Sequence, residues 1–396
     1  MTPAARLQAV VEILGAGGSE PLDRQIKGWL RGHRFAGAKD RRAITERVYA
    51  IFRHRAHFAH RIASEEPRAL VIASLLAEGE NPDALFSGGY GPSPLTDAER
   101  AAIARPPPPA PASVENEYPA WLEEDLRRAF GAHLQEEMRA FQTRAPVDLR
   151  VNTLKAERAD VLTALRADGF AAEIPAELPN AIRCAPAANL TAHPLFASGA
   201  FEIQDWAAQR AVALSGAEPG MRVLDLAAGA GGKTLALAAA MRNRGKLLAF
   251  DDKPERLKPL PERARRAGAS IITIAEQRGG PLWGDGRFDL VFLDVPCSGS
   301  GTWRRQPELK WRLTLERLTE LKRIQNWLFA DAARHTGSGG KLVYATCSVL
   351  SCENQDRVEA FLAAHPDFER TREDFVASPA STASDGFYAA FLTRTG

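Results

Sequence analysis

From residue 222 to residue 346 short apolar runs alternate with helical patterns, and nothing else in this chain restricts the available folds as much. The runs are RVLDLA (222–227), KLLAFD (246–251), IITIA (271–275), FDLVFLD (288–294) and KLVYAT (341–346), each of strand length. TLALAAAMRNR and PERLKPLPERARRA follow the first two with helical spacing, and a longer helical stretch, about 314–335, lies between the fourth and fifth. Strands that alternate with helices in this way predict an α/β domain on a doubly wound, mostly parallel sheet. In such a Rossmann-like domain, ligands sit outside the carboxyl ends of the strands.

Upstream the texture differs. Residues 1–105 read as helices (LQAVVEIL, a basic segment, ALVIASLLAEG) broken at Gly and Pro. The run PPPPAP, Pro106 to Pro111, can form neither helix nor central strand and marks a linker over 106–117. YPAWLEEDLRRAF is a helix with Pro119 near its first turn. VDLRVNTLK is a strand, VLTALRADG a helix and FAAEI a strand, so that 118–200 forms a small α+β unit ahead of the main domain over 201–396.

Composition narrows the function classes. The net charge of +2 is too mild to argue from, but its distribution is uneven. Between Arg6 and Arg61 about twelve Lys/Arg face five Asp/Glu, whereas 78–144 holds about six against twelve. The basic front suits phosphate contacts. Its apolar residues Ile44, Val48, Ile51, Phe52 and Phe58 also recur at helical spacing, which an amphipathic helix with a solvated basic face explains equally well. Four cysteines, no two spaced as CxxC, argue against a disulfide framework and a zinc site; no metal is expected. No apolar run approaches the roughly 18 residues of a membrane span, and the N-terminus lacks a signal-peptide core, so a cytoplasmic chain that avoids membranes is expected.

The first strand of the main domain ends in DLAAGAGGKT (Asp225 to Thr234), whose small residues let backbone amides approach a ligand at a helix N-terminus. A Walker A loop would need Gly where Ala227 stands, which disfavours a nucleotide triphosphatase despite Lys233 and Thr234. A dinucleotide fingerprint finds Gly229 and Gly231 but has Thr234 for its third glycine. Asp251 closes the second strand about 20 residues on, where an acid binds a ribose diol, and serves a nicotinamide or an adenosyl cofactor alike. Its plainer role is to cap the next helix.

The fourth strand runs into Asp294, Pro296 and Cys297, and the fifth places Cys347 at its tip. One buried cysteine is usually a small apolar filler. Two at strand ends, among small polar residues, converge on one crevice and point to chemistry. Carbon 5 of cytosine accepts a methyl group only after a thiolate has added at carbon 6. An enzyme doing this needs an accessible thiolate, an acid for the base and a methyl donor beside carbon 5; Cys347, Cys297, Asp294 and the Gly-rich loop meet those needs. Trp303, Arg304, Arg305, Lys310 and Trp311 would pair phosphates and stack bases; the alternative is a surface loop in which Arg and Trp pack on one another.

DLAAGAGGKT, DVPCSGSGTWRRQPELKW, LVYATCSVLSCEN and DGFYAAFLTR together resemble the motifs of the RNA 5-methylcytosine methyltransferase family that includes the 16S ribosomal RNA enzyme and the Nol1/Nop2/Sun proteins. The likeness covers most of 118–396, with LRVNTLK and FEIQDWAAQ matching the segments ahead of the catalytic domain, while AGAKDRRAITERVY is more loosely similar to a NusB-like RNA-binding domain. The resemblance implies a class I methyltransferase fold, S-adenosylmethionine as cofactor and RNA as partner, with ribosomal RNA favoured by the basic front and transfer RNA the alternative. It implies Cys347 as nucleophile, Cys297 as the group that helps release product, and Asp294 as the acid on the base beside the methyl donor. Ala227, Ala228, Gly229, Ala230, Gly231, Gly232 and Lys233 would form the cofactor loop, and Asp251 would bind ribose. Two features depart from the family: where it often has Cys-Ala-Ala-Pro before Gly-Gly-Lys this chain has Ala227 and, for the proline, Ala230, and IAEQRGG offers Glu276 or Gln277 where an Asp usually meets the adenine. A monomer is the default expectation, and a non-catalytic RNA-binding or ribosome-assembly factor on the same scaffold is the reading from another class.

Overall fold

The computed structural model describes residues 1–18, 20–186 and 188–396, which pack as two compact units: 1–143 with 303–312, and 144–302 with 313–396. The first unit is helical, with its principal helices at Pro3–Gly15, Leu22–Gly32, Ala38–Arg53, Arg55–Ile62 and Pro67–Ala77. Ile44, Val48, Ile51, Phe52 and Phe58 are all buried, together with Val10, Ile13, Ile26 and Val71. The helical spacing in the basic segment thus serves a core, and Arg42 on the same helix pairs with Glu46 in solvent. Pro106–Pro111 has no regular structure, and the carbonyls of Arg105 and Pro108 lie within hydrogen-bond reach of Arg61 and His60.

In the second unit, β1 (Val147–Val151), β2 (Ala172–Glu173), β3 (Ala181–Cys184) and β4 (Phe201–Ile203) form an antiparallel sheet in the order β2-β3-β1-β4, and the helix Arg158–Ala167 links β1 to β2. The larger sheet contains β5 (Arg222–Asp225), β6 (Lys246–Ala249), β7 (Ile272–Ile274), β8 (Phe288–Asp294), β9 (Thr336–Thr346), β10 (Phe368–Arg370), β11 (Phe375–Ala377) and β12 (Phe387–Arg394). Its order is β10-β12-β9-β8-β5-β6-β7, with β11 on β12. All five expected strands are present and mutually parallel; β10, β11 and β12 are antiparallel additions.

The alternation of side chains makes this sheet two-sided. Val223, Leu290, Phe292 and Val343 enter one core, while Leu224, Val291, Leu293 and Leu342 enter the other. The second core is closed by Leu315–His335, whose Leu328, Phe329 and Ala332 recur at helical spacing and whose start is capped by Thr314 accepting from the Arg317 amide. The chain leaves β5 outward to β6 and β7, then returns to β8 on the other side of β5. The order therefore reverses between β5 and β8, and the crevice at their carboxyl ends is where a doubly wound sheet binds ligands.

Candidate active site

Three segments meet at that reversal: the Gly-rich loop after β5, Asp294 to Ser300 after β8, and Cys347 to Asn354 after β9. Because β8 and β9 are parallel neighbours with Asp294 opposite Ala345, the two cysteines leave the sheet side by side. Their sulfurs are 3.3 Å apart and both residues are half-buried. The hydrogen bond between the cysteines, then burial, holds the Cys297 thiol well above the ordinary cysteine value. Either sulfur can be the donor of the hydrogen bond that joins Cys297 to Cys347.

Lys233 Nζ donates to Asp294 Oδ2 at 2.7 Å and lies over the Phe387 ring. Burial would lower its pKa, but the charge and hydrogen bond of Asp294, with Cys347 nearby, hold it above the usual lysine value. Its ammonium is thus held near Cys347 as well as Asp294. The cofactor-loop lysine of the sequence reading is therefore also part of the Asp294 site.

The loop itself is shaped by close approach. Gly229 and Gly231 have φ of 52° and 82°, and a Cβ on Gly231 would lie 2.3 Å from Leu260 Cδ1. Gly231 precedes the helix Gly232–Ala240, whose first amides are the free donors of a helix N-terminus. The Gly229 amide donates to Asp251 Oδ2 at 2.9 Å, and Asp251 also accepts from Lys253 N and pairs with Arg256. Asp225 Oδ2 accepts from the Thr234 hydroxyl, while its buried Oδ1 has no partner. An orphaned carboxylate oxygen, a turn that excludes Cβ and free helix amides fit a small polar cofactor such as S-adenosylmethionine. Beyond β7, Glu276 and Gln277 line a pocket of about 350 Å³ with Pro281 and Leu282.

Glu353, fully buried, is a residue the sequence reading passed over. Its Oε1 accepts from the Ser298 amide and Gln325 Nε2, both at 2.9 Å, and its Oε2 from the hydroxyls of Ser298 and Ser348 at 2.5 and 2.6 Å. Ser298 follows Cys297 and Ser348 follows Cys347, so one carboxylate fixes both cysteine turns. The only sequence signal was its place in LVYATCSVLSCEN. The closing motif acts similarly: Gly386 N donates to Gly301 O, Gly301 N donates to Cys347 O, and a Cβ on Gly301 would fall 1.9 Å from Gly386 O.

One expectation fails for three of its five residues. Trp303, Arg304 and Lys310 are buried at 1%, 4% and 2% exposure and offer no face to stacked bases or phosphates, while Arg305 and Trp311 are half-buried. Residues 303–312 fold into the first unit, where Trp311 Nε1 donates to Phe52 O, Glu308 accepts from Leu22 N and Lys310 lies over Trp311. The interleaving of Trp and Arg with Lys thus marks a packed segment rather than a binding platform.

The site's residues lie within a span of known kind. The family described as 16S rRNA methyltransferase RsmB/F matches residues 211–393, and an RsmF/B-like ferredoxin-like domain matches residues 118–191. A ribosomal RNA small subunit methyltransferase B of Klebsiella pneumoniae is 34% identical over 293 residues, covering 72% of this chain and 68% of that protein. The chain belongs to the RsmB/F methyltransferase family. A second methyltransferase B, from Serratia proteamaculans, is 36% identical over 252 residues, 63% of this chain and 58% of its own length. The chain thus spans about three-fifths to two-thirds of these RsmB relatives. Among solved structures, PH0851 is 26% identical with a TM-score of 0.81 over 99% of both chains. A methyltransferase homolog from Pyrococcus horikoshii is 25% identical with a TM-score of 0.63, over 71% of this chain and 97% of that one.

Proposed function

We propose that this RsmB/F member is an S-adenosylmethionine-dependent RNA cytosine-5 methyltransferase of the cytoplasm, acting on ribosomal RNA through a covalent adduct between Cys347 and the base. The observation that carries the reading is the pair of sulfurs 3.3 Å apart at the ends of β8 and β9, beside Asp294 and Lys233. Family membership and the names of the bacterial relatives support ribosomal RNA as the substrate.

Cys347, as thiolate, adds to carbon 6 of cytosine and turns the ring into an enamine nucleophilic at carbon 5. Asp294 would hold the ring nitrogen and amino group, and Lys233, bonded to its Oδ2, keeps the carboxyl oriented. S-adenosylmethionine supplies the methyl group to carbon 5; Ala227 to Lys233 and Asp251 would hold it. Once Cys347 is bonded to carbon 6 it no longer accepts a hydrogen bond as a thiolate. The carbon 5 proton is then lost to water, the double bond reforms, and Cys347 leaves as a thiolate, with the Cys297 thiol beside it to hydrogen-bond the departing sulfur and so assist release.

Cys347→Ala is expected to abolish turnover while leaving S-adenosylmethionine binding by calorimetry intact; normal turnover would refute these roles. Cys297→Ala is expected to accumulate an RNA-bound protein that survives denaturing electrophoresis. A DNA-type mechanism, with the Pro-Cys cysteine as nucleophile, predicts the opposite pair of results. Bisulfite sequencing of total RNA with and without the gene then separates ribosomal from transfer RNA, and absence of cofactor binding would favour an assembly factor.

A further inference from the structure

We propose that the first unit carries a site for an unpaired RNA nucleobase, walled by Trp29, His33, Phe35 and Tyr90, with adjoining phosphates held by Arg31, Arg34 and Lys39. The inference rests on the RNA-methyltransferase reading above and adds a place where RNA is gripped away from the reacting cytosine.

A pocket of about 540 Å³ opens among these four rings, Gln8 and Glu12, and its lining is predominantly apolar. The Trp29 and His33 rings stack at 3.8 Å with 6° between their planes, and Phe35 meets His33 edge-on at 5.7 Å. His33 Nδ1, 2.7 Å from the Trp29 carbonyl, must carry a proton to donate there, which fixes the imidazole parallel to the indole. Trp29 Nε1 donates to Glu12 Oε2, so the stack is pinned at both rings.

Folding does not account for all of this surface. Phe35 is 70% and Tyr90 89% exposed, so neither gains much from core burial. Aromatic rings have only two side-chain torsions to fix and present π-faces that any base can stack on. An aliphatic partner would need no such rings. The charge pattern points the same way. Arg31, Arg34 and Lys39 are exposed and, among the described residues, make no ion pair or side-chain hydrogen bond. Arg31 and Arg34 alternate along the chain with the pocket's Trp29, His33 and Phe35, and such cations complement a stacked base joined to phosphates. Glu12, on the pocket wall, repels phosphate from the pocket itself and offers a carboxylate to the N–H groups of a base edge. No cysteine lines the pocket, so the base held there is not the one that reacts.

The test uses the full chain and a short fluorescein-labelled single-stranded RNA followed by anisotropy. Phe35→Ala with Tyr90→Ala changes two exposed side chains and is expected to weaken binding by about tenfold, with the thermal midpoint unchanged. Arg34→Ala is expected to lower the salt slope of binding by about one. Photocrosslinking with 4-thiouridine RNA should label the peptides bearing Trp29, Phe35 or Tyr90. Wild-type affinity in the double variant overturns the site. So does loss of ribosomal-protein binding with RNA affinity intact, which would make the pocket a protein-docking surface. A wild-type chain that neither binds nor methylates RNA overturns the proposed function instead, whereas normal methylation with an unaltered double variant removes the pocket alone.

Discussion

Glu353 touches no substrate in the proposed reaction, yet its four hydrogen bonds make it the residue on which the spacing of the cysteines depends. Glu353→Gln keeps the shape but turns one acceptor into a donor that faces groups already donating. We expect a fall in kcat of about 100-fold with S-adenosylmethionine affinity unchanged, because small misplacements of reacting groups cost rate more than binding. A purely structural role would instead lower the thermal midpoint while kcat of the folded fraction held. Asp225 gives a pH dependence. Burial raises its pKa to about 7, with Asp294 adding to the shift against the Thr234 hydrogen bond. The native state then keeps a proton that the unfolded chain releases above about pH 4. The stability this confers is whole below that pH and is lost as pH rises through about 7. Asp225→Asn is expected to flatten this fall in chemical-denaturation curves taken across the window; an unchanged slope would show that Asp225 ionises normally.

At the scale of elements, the segments with a repeating local pattern were legible and those without were not. Each of the five parallel strands could be read because it is a short apolar run, buried on both faces in all but the edge strand β7, and Leu315–His335 because its apolar residues recur over many turns. β10 and β11 are three residues long and carry no periodicity to read, whereas the two-residue β2 lies within FAAEI, expected as a strand. DGFYAAFLTR was visible as a motif, but not that β12 pairs antiparallel with β9, Tyr388 opposite Thr346. That pairing brings Gly386 against Gly301 and so ties the chain's last strand to the Cys297 turn. Gly386→Ala would set a methyl group 2.3 Å from Val349 Cγ1. We expect it to cost about 1–3 kcal/mol in urea unfolding and to lower activity, since the strain falls between the two cysteine turns. Gly79→Ala, at a positive φ but with open space around it, is the control that should leave activity intact.

For the whole molecule, residues 303–312 leave the catalytic unit's sequence and fold within the first unit. Deleting 1–143 would strip the partners from Glu308 and Trp311 and expose the buried Trp303. The shortened chain is expected to be cut by trypsin at Arg304, Arg305 or Lys310, sites that resist in the full protein; equal resistance would mean that the segment has cover of its own. Sequence by itself determined the alternation of strand and helix, and with it the placement of the Gly-rich loop, Asp294, Cys297 and Cys347 at carboxyl ends of strands, because side-chain periodicity is a local property of the backbone. It could not decide the full strand order, how near the sulfurs would come, that Glu353 would bridge their turns, or that Trp303, Arg304 and Lys310 would be buried. Those outcomes depend on packing between residues far apart in the chain, where burial and hydrogen-bond satisfaction across the assembled core, rather than local spacing, select the partners.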